Sequence, residues 1–182
     1  MKTIWYKVII VILLGFNMAL LYQNHQIKAG SINSLISPNV YLDRLQLPDY
    51  QVTDRRGHST GLLTLAGNSE HTMFIFFSPS DCPSCFNERY LWGQISDRIQ
   101  LPVIGIASSP DSRELWQWVT NMEMPIDVYL DTTFAIEHTM EFQMTPLKVL
   151  VNSTGAIIWA DPPREPGSAR EHFWEELGNA IR

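Results

Sequence analysis

The spacing of apolar and polar positions divides the chain into three parts. Val8 to Tyr22 is a run without charge, apolar except for Asn17, preceded by Lys2 and Lys7 and edged by Trp5, Tyr6 and Tyr22. Residues 23–46 are polar and mixed, with Gly30, Ser31, Ser34, Ser37 and Pro38, and read as a tether. From Leu47-Pro48-Asp49 onward, short apolar runs of strand length alternate with longer segments of helical periodicity. These boundaries predict an anchor over 1–22, a linker over 23–46 and one domain over 47–182.

Within the domain, Tyr50–Thr53 predicts a short strand and Asp54-Arg55-Arg56-Gly57 a turn with glycine at the position of positive φ. Ser59–Leu65 reads as a second strand or extended piece, closed by the turn at Gly67-Asn68. The run over 72–77 predicts a buried strand, and Pro83–Ile99 a helix with Phe86, Tyr90, Leu91, Ile95 and Ile99 on its apolar stripe. Pro102–Ala107 is a further strand. Ser109–Glu114 then carries cap residues, early acidic charge and a proline expected in the first turn, so a helix starts there with Leu115, Trp118, Val119 and Met122 facing inward. Ile126–Leu130 predicts a strand and Thr133–Met140 a short helix. Leu147–Val151 and Ala156–Trp159 flank Asn152-Ser153-Thr154-Gly155 as a hairpin. A proline-rich loop over 161–167 precedes a last helix ending near Asn179. Strands alternating with helices imply βαβ units, and the hairpin adds an antiparallel strand, so the expected fold class is α/β: a mixed sheet with helices on both faces.

At 45% hydrophobic residues the chain can bury a core of ordinary domain size. A net charge of −6, with no stripe of Lys or Arg, excludes nucleic acid as a partner. The run from Ile4 to Tyr22, with Lys7 snorkelling, approaches the roughly 20 residues a membrane-spanning helix requires. Its amino-terminal lysines place the domain outside the cytoplasm. A cleaved secretory signal is the competing reading, with its best small-residue site near Ala29-Gly30-Ser31. Both export the domain to an oxidising, periplasm-like compartment.

The chemistry concentrates in Asp81-Cys82-Pro83-Ser84-Cys85, which holds both cysteines of the 182 residues and follows the most apolar strand of the domain. Thiol–disulfide exchange needs a thiolate, an open sulfur and a second thiol. An ordinary thiol is only about 3% ionised at neutral pH. A cysteine capping the helix that begins at Pro83 faces free N–H groups and the positive helix end, which favour its thiolate. This makes Cys82 the attacking nucleophile and Cys85, one turn on, the resolving thiol. Zinc wants four ligands and a single CxxC supplies two. A structural bridge over so short a loop would add only about 2 kcal/mol. Met144-Thr145-Pro146 is the second element: a proline opening a strand gives up a ladder hydrogen bond, as a cis peptide turned toward the site or as a trans residue at the strand start.

A strand, CxxC, a helix, and then Thr145-Pro146 ahead of the Asn152–Gly155 hairpin resemble the thioredoxin superfamily. The amino-terminal run, Leu47-Pro48-Asp49 and Asp131 before a short helix resemble its membrane-tethered TlpA/ResA-type branch. The resemblance spans about residues 47–181. It implies a thioredoxin-like fold preceded by one transmembrane helix, and thiol–disulfide oxidoreductase activity without a dissociable cofactor. Pro146 would be cis beside the cysteines, and the backbone at Thr145 would pair with an extended protein substrate. The electrons would come from a membrane-spanning reductase. Two departures stand out: Phe76 occupies the position where the superfamily often has a buried Asp, and Asp81 replaces the usual Trp. The proton acceptor for Cys85 is thus unassigned, and Asp81 opposes thiolate formation if it faces Cys82. The pattern of peroxide-reducing relatives is met at neither cysteine. Pro83-Ser84 lacks a histidine to stabilise a thiolate, which leans toward a reducing or isomerising role.

Two other functions compete: copper delivery through Cys82, Cys85 and one of His58, His71 or His138, and a non-catalytic assembly factor on the same fold. Metal is not expected otherwise. Trp92, Trp116, Trp118, Trp159 and Trp174 read as core or half-buried, and Glu171, Glu175 and Glu176 as a solvated helix face.

Overall fold

The structure, a computed structural model, describes residues 46–140, 145–163 and 169–182, with Gly15 and Asn17, both helical, in the amino-terminal part. The expected anchor and tether otherwise lie outside the described residues. The chain divides into two compact units, Met1–Ser37 and Pro38–Arg182. Among the described residues no helix is long and apolar enough to cross a membrane.

The second unit is built on one seven-stranded sheet: β1 (Gln51–Thr53), β2 (Ser59–Gly61), β3 (His71–Phe77), β4 (Val103–Ser108), β5 (Asp127–Asp131), β6 (Leu147–Asn152) and β7 (Ile157–Asp161), in the order β2-β1-β5-β4-β3-β6-β7. The helices are α1 (Leu62–Ala66), α2 (Pro83–Ile99), α3 (Ser112–Asn121), α4 (Ala135–Met140) and α5 (Ala169–Ala180). β3, β4 and β5 run parallel, while β6 is antiparallel to β3, β7 to β6 and β1 to β5. The mixed sheet expected from the alternation is therefore present. Its antiparallel share is larger than one hairpin strand, because β1 and β2 extend the other edge.

Alternation along β3 distributes two cores. Met73, Ile75 and Phe77 point to one face, where they pack with Trp92 and Ile95 of α2, Leu115 of α3 and Phe173 of α5. Phe74 and Phe76 point to the other, against Leu62 and Leu65 of α1 and Ile136 of α4. Burial on both faces explains why β3 is continuously apolar rather than alternating.

Three local expectations are corrected. The extended piece over Ser59–Leu65 ends at Gly61 and the rest is α1, because Leu62, Leu65 and Ala66 recur at helical spacing and are all buried. Pro110 lies before the helix rather than in its first turn. Asp111 is the N-cap and takes the N–H groups of Arg113 and Glu114 at 2.8 and 3.3 Å. The stripe of α2 is rotated in part from the expected one: Leu91 and Ile95 are buried as expected, but Phe86 and Tyr90 are 55% and 61% exposed, and Cys85, Glu88 and Trp92 are buried in their place. The tryptophans follow expectation, with Trp92 and Trp159 buried and Trp116, Trp118 and Trp174 partly so. Glu175 is exposed and Glu176 partly so, while the side chain of Glu171 lies outside the described residues.

Asp131, at the end of β5, is 1% exposed and organises the turn into α4. Its Oδ1 accepts from the N–H and hydroxyl of Thr133 at 2.9 and 2.6 Å, and its Oδ2 from the Ile136 N–H at 3.2 Å. Removing the acceptor strands the buried Ile136 N–H and two part-buried donors of Thr133, so Asp131→Ala is expected to lower unfolding free energy by about 2 kcal/mol. Urea denaturation measures this, and a loss below about 0.5 kcal/mol would refute the capping role.

Candidate active site

β3 delivers the chain to the carboxyl end of the parallel strands, where a single 3₁₀ turn, Pro79–Asp81, leads into α2. Cys82 occupies the N-cap of α2 and Pro83 the first turn, as the spacing predicts. The missing N–H of proline costs nothing there, because the first amides of a helix have no partner inside it. The Cys85 N–H donates to the Cys82 carbonyl at 3.2 Å, which closes the first turn and sets the two residues on the same flank. Their Cα atoms are 5.3 Å apart and their sulfurs form a disulfide. Cys82 retains 7% exposure and Cys85 none. The expected asymmetry, an outer sulfur at the helix end and an inner one beneath it, is therefore present. The side chains of Asp81 and Pro83 lie outside the described residues, and the expected opposition of Asp81 with them.

The Thr145–Pro146 peptide is cis. Pro146 is buried and Thr145 half-buried. Pro146 directly precedes Leu147, the register partner of Phe76, so the start of β6 lies beside the end of β3 that feeds the cysteines. The fold thus brings Thr145-Pro146 to the same end of the sheet as Cys82 and Cys85, although some sixty residues separate them in sequence. Met144 lies outside the described residues.

Phe76 belongs to the core of the face opposite the cysteines. The buried charge near the dithiol comes from elsewhere. Lys148 of β6 is fully buried, and its Nζ donates to Oε2 of Glu88 on α2 at 2.6 Å and lies 3.1 Å from Oδ2 of Asp161 on β7. Sequence reading missed these three residues. The available signal was a lysine inside the apolar strand Leu147–Val151, at a position whose neighbours in alternation face the core.

Around the mouth, the exposed rings of Phe86 and Tyr90 both contact Arg89, whose Cζ lies 4.6 and 4.7 Å from their centroids. Arg89 also donates to the Met122 carbonyl at 2.7 Å, tying α2 to the end of α3. Beneath, Phe77 packs on Trp92 and Trp118 with centroids 5.8 and 5.4 Å apart.

The histidines weighed as copper ligands are dispersed. His71 begins β3, six residues and about 20 Å of strand from Phe77. His58 bonds Asp54 in the β1–β2 turn, and His138 is exposed on α4. Among the described residues no group of three His, Cys, Asp or Glu side chains could hold a metal ion. The Asp54 carboxyl is held below its ordinary range, chiefly by the backbone N–H of His58, and burial pushes the Tyr129 phenol up. Asp54 follows β1 and Tyr129 lies in β5, strands that β4 separates from the cysteine-bearing strand.

Sheet order, a CxxC at the amino end of α2 and a cis-proline heading β6, the strand beside β3, define a thioredoxin-like fold. The solved structures that it matches carry this fold. One is an assigned thiol:disulfide interchange protein DsbE of Chlorobium tepidum, 12% identical, with a TM-score of 0.66 over 77% of this chain and 98% of that one. Another is the thioredoxin domain of a thiol-disulfide oxidoreductase from Bacteroides vulgatus, 13% identical, with a TM-score of 0.61 over 74% and 96% of the two chains. A third is a secreted Mycobacterium tuberculosis disulfide oxidoreductase homologous to E. coli DsbE, 16% identical, with a TM-score of 0.57 over 72% and 96%. By sequence, neither a family model nor a curated protein matches.

Proposed function

We propose that this chain is an extracytoplasmic thiol–disulfide oxidoreductase of TlpA/ResA type, tethered by its amino-terminal segment and exchanging disulfides with partner proteins. The supporting observation is the Cys82–Cys85 bridge at the amino end of α2, with only Cys82 in contact with solvent. In the reducing direction, the Cys82 thiolate attacks a partner disulfide. One partner sulfur leaves as thiolate, taking a proton from solvent, and a mixed disulfide remains. Cys85 gives up its proton and attacks Cys82 Sγ; the second partner thiolate leaves, and the Cys82–Cys85 bridge closes. Two electrons pass from this dithiol to the partner, with no cofactor needed. The backbone at Thr145, ahead of Pro146, pairs with the extended partner segment. A membrane reductase restores the dithiol.

The test is equilibration of the bridge against glutathione or dithiothreitol, followed by alkylation. An exchange couple titrates between about −270 and −120 mV, whereas structural bridges lie below about −300 mV. The expected value is in the lower half of the exchange range. A bridge below about −300 mV would refute the reading, and a value near −120 mV would reverse its direction.

A further inference from the structure

Among the described residues, Phe86 and Tyr90 are the large apolar side chains left exposed. They follow Cys82 by four and eight positions along α2, which sets both rings on the flank of the helix that leads from Cys82. At 1.5 Å per residue they stand about 6 and 12 Å along the axis from it. Arg89 is held between them, with its Cζ 4.6 and 4.7 Å from the two ring centroids. Its Nη1 donates to the Met122 carbonyl at 2.7 Å and its Nη2 to the Tyr90 hydroxyl at 2.8 Å. Two of its five N–H donors are thus taken, both by neutral oxygens. Among the described residues no carboxylate pairs with Arg89. In a chain of net charge −6, such a cation beside two open rings marks a local preference opposite to the overall field. Apolar residues exposed singly need no explanation, but these adjoin the one sulfur of the site in contact with solvent. Arginine and aromatic side chains carry most of the binding energy at protein interfaces, and a side chain already held in place loses little freedom on binding.

We propose that Phe86, Arg89 and Tyr90 form a docking strip for the partner protein, and that it selects an extended segment with an apolar and an acidic side chain close to the partner's cysteine. This deepens the exchange reading above and rests on it. In the mixed disulfide the partner's sulfur is bonded to Cys82, which fixes where its segment starts. An extended chain advances about 3.3 Å per residue, so the rings lie beside residues about two to four places from that cysteine. An apolar side chain there covers the rings, and a carboxylate takes the remaining donors of Arg89, whose planar fork suits it better than an ammonium would. A basic segment meets like charge at the same place.

The experiment uses the reduced full chain at pH 7 and about 0.15 M salt, where charges further apart than about 8 Å are largely screened. The probes are mixed disulfides of nitrothiobenzoate with a peptide cysteine. One peptide carries Leu-Leu-Glu-Glu running outward from the second position on each side, one carries Leu-Leu-Lys-Lys, and an arm-free probe is N-acetylcysteine amide. Either face of an extended arm then presents one apolar and one charged side chain. Cys82 thiolate breaks the probe's S–S bond, Cys85 loses its proton and closes the bridge, and two electrons pass to the probe. Each probe yields one peptide thiol and one coloured nitrothiobenzoate, whose appearance gives the rate. Arg89→Glu is expected to lower the ratio of the acidic to the basic peptide's rate at least fivefold. Arg98→Glu, the same charge change further along α2, is expected to lower it less than twofold. Phe86→Ser is expected to slow the acidic peptide at least threefold relative to the arm-free probe. An Arg89→Glu change below fivefold, one matched by Arg98→Glu, or a Phe86→Ser loss below threefold overturns the inference. If Arg89→Glu does not fold, Phe86→Ser and Tyr90→Ser decide, and losses below threefold in both overturn it. A wild-type chain that releases colour from none of the probes refutes the exchange reading itself, an outcome distinct from working exchange with unmoved ratios.

Discussion

Cys82→Ser is expected to abolish reduction of an insulin-type disulfide, a loss on the order of a thousandfold or more, and to form no covalent adduct with a partner. Cys85→Ala should lose turnover equally but retain its partner as a mixed disulfide on Cys82. The difference follows from burial: Cys85 has no exposed surface, so once Cys82 is gone the remaining thiol cannot reach a partner. Conversely, Cys82 without Cys85 can attack but nothing releases what it has bound. Non-reducing electrophoresis after a thiol quench distinguishes the variants. An adduct on Cys85 in the first variant, with none in the second, would reverse the assignment. Turnover preserved in Cys82→Ser would remove the dithiol from the protein's activity.

Trp92→Ala is expected to cost about 3–5 kcal/mol of unfolding free energy. Trp92 is fully buried, lies two turns after Cys85 on α2 and stacks on Phe77, the last residue of β3. Its removal opens a space that the sheet on one side and α2 on the other cannot both collapse to fill. Set against a total stability of about 5–15 kcal/mol, the loss should be evident as a lower urea midpoint with an unchanged slope. Trp92→Phe, which keeps a ring against Phe77, should recover more than half of it. A loss below about 1 kcal/mol in the alanine variant would mean that α2 is not seated on the sheet through this residue.

The sequence revealed the site more fully than its surroundings. The run His71–Phe77, the cysteine spacing and Pro83 each have a local cause, so strand, N-cap and helix start could be read directly. Asn152–Gly155 likewise encodes its own turn: Asn152 Oδ1 accepts from the Thr154 and Ala156 N–H groups, both at 3.0 Å, and Gly155 has a φ of +81°. The rotation of α2 could not be read, because Phe86 and Tyr90 are as apolar as the residues that are buried. Which side faces the sheet is decided by the sheet, and by Glu88 finding Lys148. That pairing joins residues from two distant segments, and neither segment alone specifies it. The short α1 is not legible for a related reason: five residues are too few for periodicity to separate a helix from an extended piece.

The wall behind the inner sulfur is supplied by chain made long after the cysteines. Lys148 follows Glu88 by 60 positions, so at ordinary synthesis rates it emerges roughly 3 to 12 seconds later. During that interval the nascent thiols have neither β6 nor β7 beside them. With two cysteines in these 182 residues, only one intramolecular bridge can form, and it is the native one. Oxidation before the chain is complete would therefore produce no mispaired intramolecular isomer needing repair.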